Sequence, residues 1–210
     1  MTGTDLAGVL DGCRIMPVLT VPDPGTAAPL ADALAAGGAR CAEVTFRTPD
    51  AAQVLKTMAA HRGLVVGAGT VLTAEQAERG VAAGARFVVS PGYDEDVVAR
   101  CRELGVPVVP GIATATELMR ALAAGLDTVK LFPAEPLGGV ALLRALAAPF
   151  PGVRFVPTGG IGLDRMSDYL AHPAVLAVGG SWMATPGHLE RGDFAGIRRL
   201  TAEAVERSAR

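Results

Sequence analysis

Residues 64–89 read LVVGAGTVLTAEQAERGVAAGARFVV. The stretch opens on an unbroken apolar run at 64–68, passes through a Thr-led, Ala- and charge-rich segment that predicts a helix over 74–84, and returns to a second apolar run at 86–89. Neither run alternates apolar with polar residues, so both faces of each strand are expected to be covered, as in a parallel sheet wrapped by helices. The same unit repeats outward in both directions. Strands are expected at 15–19, 41–46, 64–68, 86–89, 106–109, 127–131, 153–157 and 174–178, with helices at 25–37, 50–61, 74–84, 94–104, 115–124, 139–148, 163–171 and 193–208. Eight β-α units in 210 residues average about 26 residues each, the compact end of the (β/α)8 range, so an α/β fold of the TIM-barrel type is the expected architecture. A doubly wound open sheet gives the same alternation and is the second choice. The residues before the first strand are expected to form a short N-terminal helix at the bottom of the barrel.

Composition sets the surroundings. Half of the chain is hydrophobic, 19% is charged, and the 26 glycines and 15 prolines are spread along it, which predicts one domain over 1–210 with many short elements and no linker. The net charge is −2, without a basic cluster and with few aromatics, so no nucleic-acid partner is expected. Cys13, Cys41 and Cys101 are far apart and form no CxxC pair, which argues against a disulfide framework or zinc site and suits a reducing cytoplasm. The start of the chain lacks the pattern of a secretory signal, and no apolar run is long enough for a membrane helix. His61, His172 and His188 show no metal-ligand spacing and are expected to be surface or packing residues, so no metal is expected. The Gly67-Ala68-Gly69 segment is not a dinucleotide fingerprint, because Leu72 stands where the third glycine belongs.

Only two of the 19 basic residues are lysines, Lys56 and Lys130. Lys56 lies in a polar-flanked helical segment. Lys130 lies inside Thr128-Val129-Lys130-Leu131-Phe132, a run with the character of a buried strand. Barrel active sites form at the C-terminal ends of strands, and there the chain gathers Glu43-Val44-Thr45-Phe46-Arg47, Gly69-Thr70, Ser90-Pro91-Gly92, Thr158-Gly159-Gly160 and Gly179-Gly180-Ser181. Strand alternation places Glu43 with Thr45 on one face, and Thr128, Lys130 and Phe132 on another, so Glu43 and Lys130 are expected to point inward. An amine held in an apolar barrel loses hydration, which favours the free base that attacks a carbonyl to form a Schiff base; arginine cannot do this. Glu43 is the natural proton carrier beside it. The alternatives are a lysine that snorkels from the strand end, or a static ion pair of Glu43 with Lys130 or Arg47. The glycine pairs on adjacent strands suggest a phosphate cradle made of backbone N–H groups, although such pairs also mark tight turns.

With those residues in view, the sequence resembles the 2-keto-3-deoxy-6-phosphogluconate (KDPG) and 4-hydroxy-2-oxoglutarate (KHG) aldolases of class I. The resemblance is carried by EVTFRT (43–48), VGAGTVL (66–72), FVVSPG (87–92), PGIATATE (110–117), VKLFPAE (129–135), VRFVPTGGI (153–161) and VGGSW (178–182). It implies that Lys130 forms the imine with the keto acid and that Glu43 is the general acid/base, with no cofactor beyond that covalent imine. It further implies that Arg47 and Thr70 hold the substrate carboxylate, that Pro91 shapes the pocket and that Phe132 packs beside the imine. Thr158 would meet substrate hydroxyls, while Gly159, Gly160, Gly179, Gly180 and Ser181 would cradle the phosphate of a small keto-acid phosphate. The family's assembly implies a homotrimer. A threonine at 158 resembles the gluconate-type enzymes more than those for the galactonate epimer, and Thr20, where some members carry arginine, leaves open the preference between KDPG and KHG. Two other readings compete: a phosphate-binding barrel isomerase or epimerase with Glu43 as base, and a non-catalytic sugar-phosphate sensor.

Overall fold

A computed structural model describes residues 12–209. The strands are β1 (Ile15–Leu19), β2 (Cys41–Thr45), β3 (Val65–Gly69), β4 (Val88–Val89), β5 (Val108–Val109), β6 (Gly111–Ile112), β7 (Thr128–Leu131), β8 (Arg154–Phe155) and β9 (Val178–Gly180). The helices are α1 (Ala27–Ala36), α2 (Ala51–Ala59), α3 (Ala74–Ala82), α4 (Glu95–Glu103), α5 (Ala115–Ala123), α6 (Gly139–Ala147), α7 (Met166–Leu170), α8 (Pro186–Glu190) and α9 (Phe194–Ser208). The expected short N-terminal helix falls outside the described residues.

All strand pairs are parallel, in the order β5-β4-β3-β2-β1-β9 and β6-β7-β8. The two runs meet at Pro110, whose carbonyl accepts from the Lys130 N–H at 2.8 Å while the Val109 carbonyl accepts from Ser90 N at 3.2 Å. Bridges from Phe155 to Val175 and from Thr158 to Gly179 connect β8 to the last strand and close the ring. The result is the expected (β/α)8 barrel.

The differences from expectation concern element limits. The fifth barrel strand, expected at 106–109, continues past Pro110 to Gly111–Ile112, because a proline lacks only the N–H and still offers a carbonyl to β7. The last strand, expected at 174–178, is ladder-paired at Val178–Gly180, where Ile15, Met16 and Pro17 of β1 lie alongside. Short α8 was not foreseen, and the helix expected at 163–171 contracts to α7.

Several loops pass straight into a capped helix. Thr73 accepts from Gln76 N at 3.2 Å and Asp94 from Val97 N at 2.9 Å, while Thr114 and Glu117 form a reciprocal capping box. These caps fix where each helix starts, and therefore how the preceding strand end is presented. Apolar side chains split into outer layers between sheet and helices and an inner cluster of Cys13, Met16, Cys41, Phe87, Val89, Val109 and Val156. The Cys41 thiol is pushed up by its hydrogen bond with Cys13 and then by burial, so it stays protonated in the barrel floor. No disulfide joins Cys13, Cys41 or Cys101.

Candidate active site

Lys130 is the third residue of β7 and Glu43 the third of β2, on opposite walls of the barrel. Their side chains meet inside it: Nζ donates to Glu43 Oε1 at 3.2 Å and to Oε2 at 3.3 Å. Glu43 is 0% exposed and Lys130 4%. Phe132, two residues on and on the same face, places its ring 5.2 Å from Nζ. The pair occupies the barrel interior above Cys41 and Val109, which precede Glu43 and Gly111 on their strands.

Glycine makes the room. Gly67, opposite Glu43 in the β2–β3 register, admits the ring of Phe87, and Gly69, opposite Thr45, admits the carboxyl group of Glu43. A methyl group on either would overlap those side chains. Gly111, the partner of Lys130 in β6, lets the Pro91 carbonyl approach the strand backbone. Sequence reading singled out none of these three for this role. Their signal was a small residue at an inward position, which is visible only once the register is known.

Around the mouth, Arg47 is exposed after β2 and makes no ion pair with Glu43; among the described residues its guanidinium has no hydrogen-bond partner. Thr70 follows β3 with φ 53°, a conformation that costs a non-glycine residue roughly 1–3 kcal/mol and persists only where the flanks impose it. The Val71 N–H bonded to Val89 O at 3.1 Å and the Leu72 N–H bonded to Gln76 Oε1 at 2.7 Å supply that restraint. Ser90 is buried and donates to Gly92 O at 2.7 Å, which shapes the turn holding Pro91. Thr20, at the end of β1, exchanges a 3.0 Å hydrogen bond with Thr45, so this wall is neutral and hydroxyl-lined. Lys56 is on the exposed side of α2, far in role from the barrel interior.

The residues expected to cradle a phosphate differ in what their backbone offers. Gly159 and Gly160 take φ 103° and 79°, which glycine adopts without strain, and their N–H groups have no hydrogen-bond partner among the described residues. The same holds for the N–H of exposed Ser181. Gly179 differs: its N–H donates to Pro157 O at 2.9 Å as part of barrel closure, so it is not available as an anion donor. Gly179 lacks a side chain because Thr158 fills that space, and Gly180 lacks one because the Trp182 indole packs there. The unpartnered donors are thus Gly159, Gly160 and Ser181, with Gly179 and Gly180 as backbone walls.

Two residues that sequence reasoning did not single out border this loop. Tyr169, fully buried on α7, donates to Glu135 Oε1 at 2.5 Å. Burial raises the Tyr169 phenol well above its ordinary value, and the carboxylate of Glu135 adds to the shift, so the proton stays on tyrosine. The histidines serve loop and helix contacts: His61 accepts from Gly63 N and lies 3.5 Å from Asp32 of α1, His172 accepts from Ala174 N and His188 from Thr185 N. No group of three or more His, Cys, Asp or Glu among the described residues is arranged to hold a metal ion. No described helix is long and apolar enough to cross a membrane.

Comparison with known proteins places this geometry. Residues 7–200 match the family model described as Aldolase: KDPG and KHG aldolase. A 2-dehydro-3-deoxy-phosphogluconate aldolase of Treponema pallidum (strain Nichols) is 51% identical over 198 residues, covering 94% of each chain. The crystal structure of the 2-keto-3-deoxy-6-phosphogluconate aldolase of Zymomonas mobilis ZM4 with 3-phosphoglycerate superposes with a TM-score of 0.92 at 42% identity, over 97% of this chain and 96% of that one. That of Legionella pneumophila KDPG aldolase, with pyruvate captured at low pH as a covalent carbinolamine intermediate, gives 0.89 at 37% identity, over 95% and 97%.

Proposed function

The chain belongs to the KDPG and KHG aldolase family, and from that premise we propose that it is a Schiff-base aldolase cleaving 2-keto-3-deoxy-6-phosphogluconate to pyruvate and glyceraldehyde 3-phosphate, and 4-hydroxy-2-oxoglutarate to pyruvate and glyoxylate. The observation that carries this reading is the buried Lys130 with its Nζ 3.2 Å from the carboxylate of Glu43. An ion pair so enclosed is a poor device for stability, since desolvating two charges offsets most of their attraction; its value lies in moving a proton.

In the forward direction Glu43 accepts a proton from the Lys130 ammonium, and the free amine attacks C2 of the keto acid. The carbinolamine takes a proton from Glu43, loses water and becomes an iminium. Glu43 then removes the proton of the C4 hydroxyl, directly or through a water. The C4 oxygen becomes the aldehyde carbonyl as the C3–C4 bond breaks, and its electron pair is taken up by the iminium to leave an enamine. Return of the proton to C3 and hydrolysis of the imine release pyruvate and restore Lys130. One carboxyl group serves every step because the protons move at C2, C3 and C4, neighbouring positions on one chain anchored to Lys130. No cofactor is needed in this scheme. Support for the carbinolamine comes from the Legionella relative, in which pyruvate was captured in that form.

In this reading Arg47 and Thr70 hold the keto-acid carboxylate, Phe132 and Pro91 bound the imine, and Thr158 meets the sugar hydroxyls. The unpartnered N–H groups of Gly159, Gly160 and Ser181 receive the phosphate. A homotrimer in the cytoplasm completes the proposal. Met119 and Leu122, one helical turn apart on α5 and exposed at 61% and 37%, are apolar side chains that assembly would cover. Native mass measurement tests the trimer.

Incubation with pyruvate and borohydride tests the chemistry. One reduced three-carbon unit per chain, mapped to Lys130 and absent in Lys130→Arg, is the expected result. An adduct on Lys56, or lyase activity retained by Lys130→Arg, overturns the reading and favours an isomerase in which the lysine only clamps charge.

A further inference from the structure

Glu135 does two things at once. Its backbone N–H donates to the Gly159 carbonyl at 3.0 Å, next to the Ala134 N–H bonded to Thr158 O at 2.8 Å. Its side chain accepts from Tyr169 at 2.5 Å. Gly159 opens the loop that leads from β8 to α7, and Tyr169 lies on α7 where the loop has ended. One residue therefore ties down both ends of the segment that contains Gly159 and Gly160.

The surroundings allow little play. A methyl group on Gly160 would lie 2.9 Å from Glu135 Cβ, and one on Gly139 would lie 3.1 Å from Glu135 Oε1 and 3.2 Å from the Tyr169 hydroxyl. Gly159 is packed in the same way against Pro133 and Phe132, the residues that follow Lys130 and Leu131. The tether also disposes of a charge problem. Glu135 is only half buried and adjoins a backbone cradle suited to a dianion, so an untethered carboxylate there would compete for the same N–H donors. The tyrosine hydroxyl turns it away and gives it a partner.

We propose that Glu135 and Tyr169 are positioning residues that hold the Gly159–Gly160 loop in its anion-receiving shape, and so set the preference for phosphorylated over unphosphorylated substrate without taking part in imine chemistry. The inference rests on the phosphate-cradle reading given above. It deepens that reading by naming what preserves the cradle.

The experiment compares KDPG with 4-hydroxy-2-oxoglutarate on the wild type and on Tyr169→Phe, Glu135→Ala, Glu135→Gln and the Tyr169→Phe/Glu135→Ala double variant, with inorganic phosphate as a competing probe. Tyr169→Phe keeps the buried ring and removes only the donor. It should raise KM for KDPG and the inhibition constant of phosphate by about three- to tenfold, the worth of one hydrogen bond. Its kcat, its kcat/KM for the unphosphorylated substrate and its borohydride trapping with pyruvate should stay unchanged. Glu135→Gln, which still offers an oxygen to Tyr169, should restore KM to the wild-type value or below. The double variant should be no worse than Glu135→Ala, as expected of two halves of one interaction. An unchanged KM for KDPG in Tyr169→Phe, or an equal loss on both substrates without rescue by Glu135→Gln, overturns the clamp while leaving the cradle standing. If the wild type itself is not inhibited by phosphate and gains nothing from the phosphate on KDPG, the cradle reading falls and the clamp with it.

Discussion

Gly69→Ala should impair the acid/base role proposed for Glu43 while leaving the barrel folded. A β-carbon built at Gly69 lies 2.2 Å from both Cγ and Oε1 of Glu43, whereas ordinary contact begins near 3.4 Å. The carboxyl group must therefore retreat by about 1.2 Å, the difference between those two distances. The Nζ to Oε1 distance is 3.2 Å, near the outer limit of a hydrogen bond, so a shift of that size changes the distance and angle over which the pair passes a proton. Misplacing a catalytic group by about 1 Å costs on the order of 10² in rate, and losing a positioned acid/base altogether about 10²–10⁴. A fall in kcat of roughly 10² is expected, the low end, because the carboxylate is still present. Pyruvate release followed with a coupled dehydrogenase measures it. Gly67→Ala is the matched control. Its methyl group meets the enclosed ring of Phe87 instead of the end of a flexible chain, so overpacking of about 1–3 kcal/mol should lower the melting temperature with a smaller effect on kcat. A folded Gly69→Ala enzyme with wild-type kcat would refute the reasoning, since Glu43 would then not need its observed position.

Exhaustive chelation with EDTA should leave pyruvate release unchanged, because in the proposed scheme the imine supplies the electron sink; loss of activity restored by zinc or magnesium would contradict that. Ser181→Glu places a carboxylate beside the unpartnered N–H groups of the cradle and should weaken KDPG binding by about 1–3 kcal/mol, with kcat/KM for 4-hydroxy-2-oxoglutarate little altered. Equal losses on both substrates would count against the cradle. Burial raises the Cys101 thiol to about 11. Its folded value exceeds its unfolded one, so its contribution to stability is complete below the unfolded value near 9.0 and is lost as pH rises through about 11. Denaturation midpoints should decline over that interval, and Cys101→Val should flatten the decline; an identical slope in the variant would rule the thiol out as its source.

What could be read from sequence followed chemical rarity. A lysine amid Thr128, Val129, Leu131 and Phe132 was conspicuous because parallel barrel strands are otherwise apolar, and alternation then put Glu43 on an inward face. The β-α rhythm was legible for the same reason, since helix caps such as Thr73 and Asp94 mark themselves. What escaped reading depends on partners distant in sequence. Nothing local to Gly179 reveals that its N–H is used by Pro157, and nothing local to Pro110 says that the strand resumes after it. Tyr169 reads as one more apolar position of a helix until Glu135, 34 residues earlier, is brought against its hydroxyl. The left-handed backbone of Thr70 is likewise imposed by its neighbours and not by its own preference.

The apolar floor beneath Lys130 has a kinetic meaning. Cys13, Met16, Cys41 and Val109 pack as a buried apolar layer across the barrel, so among the described residues the route to Lys130 is from the strands' C-terminal end. In the proposed reaction the three carbons tethered to Lys130 would sit at the closed end, with the departing aldehyde between them and solvent. A single-ended chamber of this kind imposes a queue: the aldehyde leaves first and the pyruvate second, and in the synthetic direction pyruvate must already be anchored before an aldehyde is of any use.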